Sequence, residues 1–233
     1  GSIDIISNES FLPYHRPPLS KDFLKRNIEI EKLAFKSEDF YVDQDISVHL
    51  STQVDSIDKT SMKVKTKDSS FAFDYLVFAT GASPRLFSMP NADAKNLFYL
   101  RQINDVLDIH KKLDSAKEIV LIGGGYIGLE VASAMIELGL KVTILESEDR
   151  ILKRVTSPEL SSFYDNFHQD KGVKILCNVE ITQFIGDSSA ITGVELESGE
   201  RISTDIVLAG IGVVPNTNLA ETMGLECDNG IKT

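Results

Sequence analysis

The sequence has little cysteine, and its two thiols stand far apart. Cys177 and Cys227 are separated by fifty positions and form neither a CxxC nor a CxxxxC pair. This spacing indicates neither a zinc site nor a vicinal redox disulfide, so two independent, inert thiols are expected. So few cysteines are typical of a reducing compartment, and we expect a cytoplasmic location.

Long hydrophobic runs and an excess of positive charge are also missing. No apolar run approaches the roughly 18 residues that a membrane span requires, and the first residues lack the basic and apolar regions of a signal peptide. The chain has 35 acidic and 24 basic residues, and its net charge of −11 would repel nucleic acid and anionic lipid. We therefore expect neither a nucleic-acid nor a membrane partner. The four histidines are scattered and predict no metal site.

The pattern divides into two blocks over 233 residues, a length that allows one or two domains. In the first block, the prolines of residues 13–18 predict a rigid loop because each fixes its own φ angle. A short helix is predicted to start near Leu19 or Ser20. The apolar run at residues 75–79 predicts a buried strand. The strands predicted in this block are residues 3–6, 46–50, 53–58, 61–67 and 71–80.

The second block contains a complete strand–turn–helix–strand unit. A buried-strand pattern at residues 118–122 runs directly into the segment GGGYIG at residues 123–128. Apolar residues then recur at helical spacing, and Gly139 stands where a C′ glycine would end the helix. A second strand at residues 141–145 leads to Glu146. The remaining elements predicted here are a helix at residues 157–171 and strands at residues 173–176, 179–184, 191–196 and 206–211.

The glycine-rich turn has the GxGxxG spacing of a dinucleotide-binding loop. Gly123 would permit the tight turn, Gly125 would let a pyrophosphate approach the helix N-terminus, and Gly128 would let the helix pack close to the strand. The motif follows a strand, opens a helix and has an acidic residue 18 positions past its last glycine, as such loops require. The alternative is a glycine-rich turn that binds no ligand.

The acidic residue after the second strand predicts the choice of nucleotide. Glu146 would accept hydrogen bonds from an adenosine ribose, whereas a 2′-phosphate would meet like charge. At about 4 Å and an effective dielectric of about 20, two unit charges repel by roughly 4 kcal/mol, of which about half would survive screening. NAD is therefore favoured over NADP. Arg150, Lys153 and Arg154 follow closely and would be available to a phosphate, and an ordinary solvated acid is the alternative for Glu146.

Five short segments occur in one order along the chain. They are PYHRPPLSK at residues 13–21, ATGASPR at residues 79–85, LR at residues 100–101, GGGYIGLE at residues 123–130 and GVVPN at residues 212–216. Together they resemble the flavin-dependent pyridine nucleotide oxidoreductases. The first segment is most similar to the ferredoxin, rubredoxin and putidaredoxin reductases, with the apoptosis-inducing-factor type nearby. The likeness covers essentially the whole chain.

The resemblance implies an α/β fold in which a Rossmann-like NAD domain is inserted in a partial FAD domain, in three layers with a β-meander. Residues 1–82 would belong to the FAD domain, residues 83–211 to the NAD domain, and residues 212–233 would begin the return to the FAD domain. The family's first GxGxxG would precede Ile3, and its second FAD strand, which ends in Gly-Asp, and its C-terminal domain would follow Thr233. An incomplete piece of a longer enzyme is therefore expected.

The resemblance also implies two catalytic residues. Lys21 would lie near the reactive edge of the flavin, where its positive charge would stabilise the anion left on the reduced ring. Glu130 would orient Lys21 and help to position the nicotinamide carboxamide. The alternative is a surface lysine and a solvated helical glutamate.

Further cofactor contacts are implied at both cofactors. Tyr126 would cover the nicotinamide pocket or, alternatively, pack as a core aromatic residue. Gly210 and Gly212 would flank a strand end that faces the nicotinamide crevice, or would serve only as a glycine-permitted turn. Arg16 would touch the cofactor or hold the proline-rich loop. The positions implied for FAD are Asn8 or Glu9 at the ribose, Val54 at the adenine, Thr80 and Gly81 as a close backbone approach, and Arg101 near the flavin.

The function predicted from these residues is hydride transfer from NADH to FAD, followed by electron transfer to a ferredoxin- or rubredoxin-like iron–sulfur protein. The absence of a redox cysteine pair fits such an acceptor. Other acceptors would make the protein an NADH oxidase, a nitrite-reductase component or an enzyme of the apoptosis-inducing-factor type. A third hypothesis is an NAD-binding module without turnover, which would bind NADH and hold FAD weakly. The sequence predicts no oligomeric state.

Overall fold

The computed structural model describes residues 1–233 and contains five α-helices. Two short 3-10 turns, Pro17–Ser20 and Ile30–Leu33, precede the first of them. None of the helices combines the length and the apolar character needed to cross a membrane. The helices are α1 (Glu38–Asp43), α2 (Ile103–Leu113), α3 (Tyr126–Glu137), α4 (Pro158–Asp170) and α5 (Asn218–Thr222).

Fifteen short strands make up five sheets. The strands are β1 (Ile3–Ile6), β2 (Ile46–His49), β3 (Val54–Asp58), β4 (Lys63–Thr66), β5 (Ser70–Ala72), β6 (Ala82–Pro84), β7 (Leu97–Phe98), β8 (Glu118–Ile122), β9 (Lys141–Leu145), β10 (Lys174–Leu176), β11 (Ile181–Gly186), β12 (Ile191–Leu196), β13 (Arg201–Ser203), β14 (Ile206–Ala209) and β15 (Val213–Pro215).

The chain forms two compact units that the sequence order does not separate cleanly. Unit 1 comprises residues 1–15, 30–83 and 213–233, and unit 2 comprises residues 16–29 and 84–212. Residues 16–29, which the sequence assigned to the first domain, thus lie in unit 2. The reason is burial, since Leu24 is fully buried and the ring of Phe23 packs 5.7 Å from that of His110.

Unit 2 is built on a five-stranded parallel sheet in the order β10-β9-β8-β14-β7. Strand β8 lies inside this sheet and pairs in register with β9 and β14, so its residues 119–122 are buried. Helix α3 packs on β8 and β9, and the antiparallel strands β11, β12 and β13 form a meander. The predicted α/β class with a parallel sheet and a β-meander is confirmed.

One hydrophobic core of unit 2 lies between the parallel sheet and the meander. Because side chains alternate along a strand, Val120 and Ile122 of β8 face the meander, and Phe184 of β11 packs against them. The buried members of this cluster are Ala94, Leu97, Val120, Ile122, Leu145, Phe184, Ile191, Val194, Leu196, Val207 and Ala209. Helices, parallel sheet and meander therefore form the three predicted layers.

The central strand–helix–strand unit matches the prediction closely. Strands β8 and β9 have the predicted bounds, and α3 begins at Tyr126. Gly139 has a φ of +86°, and its N–H donates to the Ile136 carbonyl while the Leu140 N–H donates to that of Met135. This pair of bonds is the Schellman arrangement, which ends the helix at the predicted glycine.

Unit 1 contains a parallel pair, an antiparallel meander and a short two-stranded sheet. Strand β1 pairs in parallel with β2, and β3, β4 and β5 form the meander in sequence order. Strand β15 pairs with β6, and α5 packs against β3. The predicted strands at the start of the chain and around residues 46–66 are therefore confirmed, with slightly shorter bounds.

The predicted strand at residues 71–80 is wrong over most of its length. Strand β5 ends at Ala72, and residues 76–81 pair with no strand. Tyr75 is 94% exposed and Val77 is 84% exposed. An apolar run becomes a buried strand only where neighbouring strands satisfy its backbone groups and cover its faces, and this run has neither.

Candidate functional site

The glycine-rich turn of unit 2 joins β8 to α3 in a conformation that requires glycine at two of its positions. Gly123 has a φ of +104°, and a Cβ there would lie 2.5 Å from the Gly210 carbonyl oxygen. A Cβ on Gly128 would lie 2.1 Å from the Gly123 carbonyl oxygen. Both contacts are too short to exist, so the strand, the turn and the helix pack this closely only with glycine at these positions.

Gly125 differs from these two glycines because it has open space beside it. It is the N-cap residue of α3, its backbone is extended, and no atom lies within 4 Å of the position of a Cβ. The first turn of α3 carries no acidic residue, and no side chain caps it. The first N–H groups of the helix therefore remain available to an anion, and the residues present fit a pyrophosphate.

Glu146 closes the other side of this turn. The Gly124 N–H donates to its Oε2 at 2.6 Å, and the Glu148 N–H donates to its Oε1 at 2.9 Å. These two bonds fix the carboxylate beside the glycine turn, at the carboxyl end of β9. Glu146 is therefore an oriented, half-buried carboxylate and not the ordinary solvated acid that the sequence offered as the alternative.

Two of the three bases that follow Glu146, namely Arg150 and Lys153, are engaged by the protein itself, and the third, Arg154, is exposed. The guanidinium of Arg150 donates to Ser161 Oγ at 2.5 Å and to the carbonyls of Lys153 and Thr156. The ammonium of Lys153 lies 2.8 Å from Glu148, and the acids beside it raise the pKa of Lys153. Neither base is held ready for a 2′-phosphate, and Arg150 orders the loop before α4.

The structure brings Lys21 and Glu130 together within unit 2. Lys21 directly follows the turn Pro17–Ser20, and Glu130 lies on α3. The distance from Lys21 Nζ to Glu130 Oε2 is 2.7 Å, and Nζ also donates to the Pro17 carbonyl at 3.3 Å. The side chain of Lys21 is 45% exposed. The ion pair implied by the resemblance is thus formed, and its catalytic role stays a prediction.

Sequence reasoning missed Ser20, the residue just before this lysine. Its side chain is buried, and its Oγ donates to Glu130 Oε2 at 2.5 Å. The hydroxyl and the ammonium therefore hold the same carboxylate oxygen. The sequence signal that could have pointed to Ser20 is its position inside PPLSK, because its partner Glu130 lies 110 residues away along the chain.

Three other predicted positions of unit 2 follow the carboxyl ends of its parallel strands β8 and β14. Tyr126, at the start of α3, is 53% exposed, so the alternative of a core aromatic residue is wrong. The Gly210 N–H donates to the Ile122 carbonyl, which places it beside the end of β8. Gly212 has a φ of +107°, as a glycine-permitted turn requires. Their contacts with a nicotinamide stay predictions.

Arg16 and Arg101 also meet within unit 2. The guanidinium of Arg16 donates to the Arg101 carbonyl at 2.7 Å, and the Arg101 N–H donates to Asp105 at 2.7 Å. Of the two roles considered for Arg16, these bonds support that of holding the proline-rich loop. The predicted place of Arg101 near the flavin stays a prediction.

The ribose candidates of unit 1 have different surroundings. Glu9 accepts a 2.6 Å hydrogen bond from the Tyr14 hydroxyl and so fastens the start of the proline-rich loop. Asn8 is exposed, and its amide donates to Gln53 at 3.4 Å. The Gln53 amide in turn donates to the Val54 carbonyl at 2.9 Å. Asn8 and Val54 are thus linked through Gln53, and Asn8 fits a ribose contact better than Glu9.

Thr80 and Gly81 are joined to the GVVPN segment within unit 1. The Thr80 hydroxyl donates to the Asn216 carbonyl at 2.6 Å, and the side-chain amide of Asn216 donates back to the Thr80 carbonyl at 2.8 Å. The backbone N–H of Asn216 donates to the Gly81 carbonyl. Gly81 has a φ of +65°. Asn216 therefore fixes the backbone for which the resemblance implies a close approach to FAD.

The cysteines and histidines form no cluster. Cys177 and Cys227 are free thiols, and burial raises the pKa of Cys177. Burial lowers the pKa of His110 and that of His168. No three side chains of histidine, cysteine, aspartate or glutamate gather as a metal site would require.

Comparison with known proteins identifies the class. The family model of the pyridine nucleotide-disulphide oxidoreductases matches residues 1–233, and the chain belongs to this family. Within it, the chain is 37% identical over 232 residues to rubredoxin-NAD(+) reductase of Pseudomonas putida, covering 99% of this chain and 60% of that protein. It is 38% identical over 237 residues to putidaredoxin reductase CamA of Pseudomonas putida, covering 99% of this chain and 56% of that protein.

Solved structures give the same result. A ferredoxin reductase from Rhodopseudomonas palustris superposes with a TM-score of 0.95 at 35% identity, covering 99% of this chain and 57% of that one. The reductase in a covalent putidaredoxin reductase–putidaredoxin complex gives a TM-score of 0.93 at 37% identity, with 99% and 57% covered. The resemblance read from the sequence is confirmed. The chain spans less than two thirds of the length of these relatives.

Proposed function

We propose that this protein is a flavoprotein oxidoreductase that moves a hydride from NADH to FAD and passes electrons on to a ferredoxin- or rubredoxin-like iron–sulfur protein. The observation that carries the proposal is the Lys21–Glu130 ion pair, formed on the helix that opens with the glycine-rich turn. One helix thus joins a nucleotide-binding end to a charged pair. The names of the similar reductases point to the same class of acceptor.

NAD is the nucleotide that the residues of unit 2 fit. Gly125 leaves room for a pyrophosphate at the start of α3, and Glu146 offers an oriented carboxylate to a ribose. Arg150 and Lys153 are bound to other groups of the protein, and Glu146 is the carboxylate beside the turn that a 2′-phosphate would meet, which leaves the exposed Arg154 as the remaining base. We therefore assign NADH as the preferred donor.

The chemistry itself belongs to the cofactors, since the nicotinamide supplies the hydride and the flavin accepts it and releases its electrons singly. Lys21 supplies a fixed positive charge where negative charge grows during this transfer. Glu130 holds that ammonium in place, and Tyr126 offers an exposed ring that can exclude water from the nicotinamide. For FAD we assign Asn8 to the ribose, Val54 to the adenine and Arg101 to the flavin, with Thr80 and Gly81 as a close backbone approach.

The acceptor proposed is an iron–sulfur protein because the chain offers no thiol pair to a disulfide substrate. Its two cysteines are free and belong to different units. Free thiols also support a reducing compartment, and we place the protein in the cytoplasm on that ground.

The test is an acceptor panel with the purified, FAD-loaded protein. NADH-dependent reduction of a ferredoxin or rubredoxin, at a rate well above that with oxygen alone, is expected. Oxygen consumption that equals NADH oxidation would instead make the protein an NADH oxidase. NADH binding with no reduction of flavin or acceptor would leave only a nucleotide-binding module.

A further inference from the structure

A buried serine lies beside the charged pair on which the proposed function rests. Ser20 is 6% exposed and ends the 3-10 turn that packs against α3. Its Oγ lies 2.5 Å from Glu130 Oε2, the oxygen that Lys21 Nζ reaches at 2.7 Å. The other contact of the hydroxyl, to the Pro17 carbonyl, is a weak 3.4 Å. The bond to Glu130 is therefore the main interaction of the Ser20 hydroxyl.

We infer that Ser20 is a positioning residue for hydride transfer, acting through Glu130 on the ammonium of Lys21. This inference rests on the proposed function. A half-exposed ion pair between flexible side chains fixes its own geometry poorly, because water competes for both partners. A short hydrogen bond from a buried hydroxyl to a carboxylate is stronger and more directional. Ser20 thus fixes the carboxylate, and the fixed carboxylate fixes the lysine.

A second ion pair between the same two elements provides the comparison. Lys25 lies one turn beyond Lys21, and its ammonium is 2.9 Å from Glu137, two turns along α3 from Glu130. Asp22 also contacts Lys25, at 3.5 Å. Glu137 is 57% exposed and accepts no hydrogen bond from a serine or threonine hydroxyl. This is what we expect of an ion pair that only connects residues 16–29 to α3. Lys25→Ala is therefore the matched control.

The first measurement needs no flavin. Chemical unfolding of the cofactor-free protein is followed for Ser20→Ala, Glu130→Gln and the double variant. If Ser20 and Glu130 are in contact, the change in the unfolding equilibrium constant of the double variant will differ roughly three- to tenfold from the product of the two single changes. Additive effects would mean that the bond does not hold the carboxylate, and the inference would be overturned.

The second measurement is flavin reduction by NADH in the full-length, FAD-loaded protein, followed by stopped flow. Ser20→Ala should slow reduction roughly tenfold while the KM for NADH changes less than twofold, because the lysine loses its orientation rather than its charge. Ser20→Thr keeps a hydroxyl and should restore most of the rate. In the Glu130→Gln background, Ser20→Ala should add less than about twofold.

The control separates positioning from simple tethering. Lys25→Ala should leave the reduction rate within about twofold of the parent, even though it loosens the same segment. If Ser20→Ala lowers stability as Lys25→Ala does and leaves the rate unchanged, while Lys21→Ala and Glu130→Gln still slow reduction, only the inference fails. If Lys21→Ala and Glu130→Gln are also silent, the proposed function loses its site and the inference falls with it.

Discussion

Helix α3 fixes its functional groups in two different ways, at its start and one turn further on. At the start, close backbone contacts around Gly123 and Gly128 and a carboxylate bonded to backbone N–H groups set the geometry. One turn further on, Glu130 holds Lys21 through side chains alone, and Lys21 is half exposed. The proposed nucleotide site is thus built from backbone geometry, whereas the charge proposed for hydride transfer rests on adjustable side chains. Variants at the start should alter folding or affinity, and variants of the ion pair should alter rate.

The largest effect is expected at Gly128. In Gly128→Ala the new methyl would meet the Gly123 carbonyl oxygen at 2.1 Å, so helix and strand must move apart. We expect a loss of about 2–4 kcal/mol in the free energy of unfolding, measured by denaturant titration. A variant as stable as the parent would show that the turn is looser than described.

The next effect concerns rate. Lys21→Ala removes the charge that we propose stabilises the reduced flavin, and it should slow flavin reduction by NADH roughly 100-fold. The dissociation constant for NADH, measured by calorimetry, should stay within about threefold, because the glycine turn is untouched. A loss confined to affinity would assign Lys21 to binding and contradict the contrast between the start of α3 and the ion pair.

The third effect is a change in the affinity for NADH that leaves the stability of the fold unchanged. Gly125→Ala adds a methyl in open space, so the unfolding midpoint should stay close to that of the parent. The same methyl would stand where a pyrophosphate approaches α3, and the dissociation constant for NADH should rise roughly 30-fold. Unchanged affinity would place the nucleotide elsewhere.

The smallest effect concerns the choice of nucleotide. Glu146→Gln keeps an acceptor for the Gly124 N–H and removes the charge that a 2′-phosphate would meet. The ratio of kcat/KM for NADPH to that for NADH should rise roughly tenfold. Lys153→Ala is the control and should leave this ratio within about twofold, since Glu148 and Asp149 already hold the lysine. An equal change in both variants would argue against a specific role for Glu146.

Much of unit 2 was predictable because its signals are local. The apolar strand, the glycine turn, the helical stripe and Gly139 all lie within one short stretch, and the structure follows them almost residue for residue. The resemblance brought Lys21 and Glu130 together, which spacing alone would not have done. Helix α2 was not predicted, although Asp105 accepts from the Gln102 N–H in a capping box.

The features that sequence reasoning did not reach share one cause, which is dependence on distant neighbours. Residues 75–79 read as a buried strand as clearly as residues 118–122 do, yet only β8 has a strand on each side. Likewise, nothing near Leu24 in the sequence shows that its segment joins unit 2. Hydrophobicity shows that burial is favourable, but the partners that provide it lie elsewhere in the chain.

The sequence by itself determined the parallel α/β unit and the glycine-rich turn, because short-range glycine geometry and hydrophobic period specify them. The resemblance of five segments also gave the family. Only the tertiary structure decided that Ser20 and Lys21 share one oxygen of Glu130, that Arg150 faces Ser161, and that Tyr126 is exposed. The physical reason is that hydrogen bonds and ion pairs depend on distances of a few ångströms between residues that the chain separates widely.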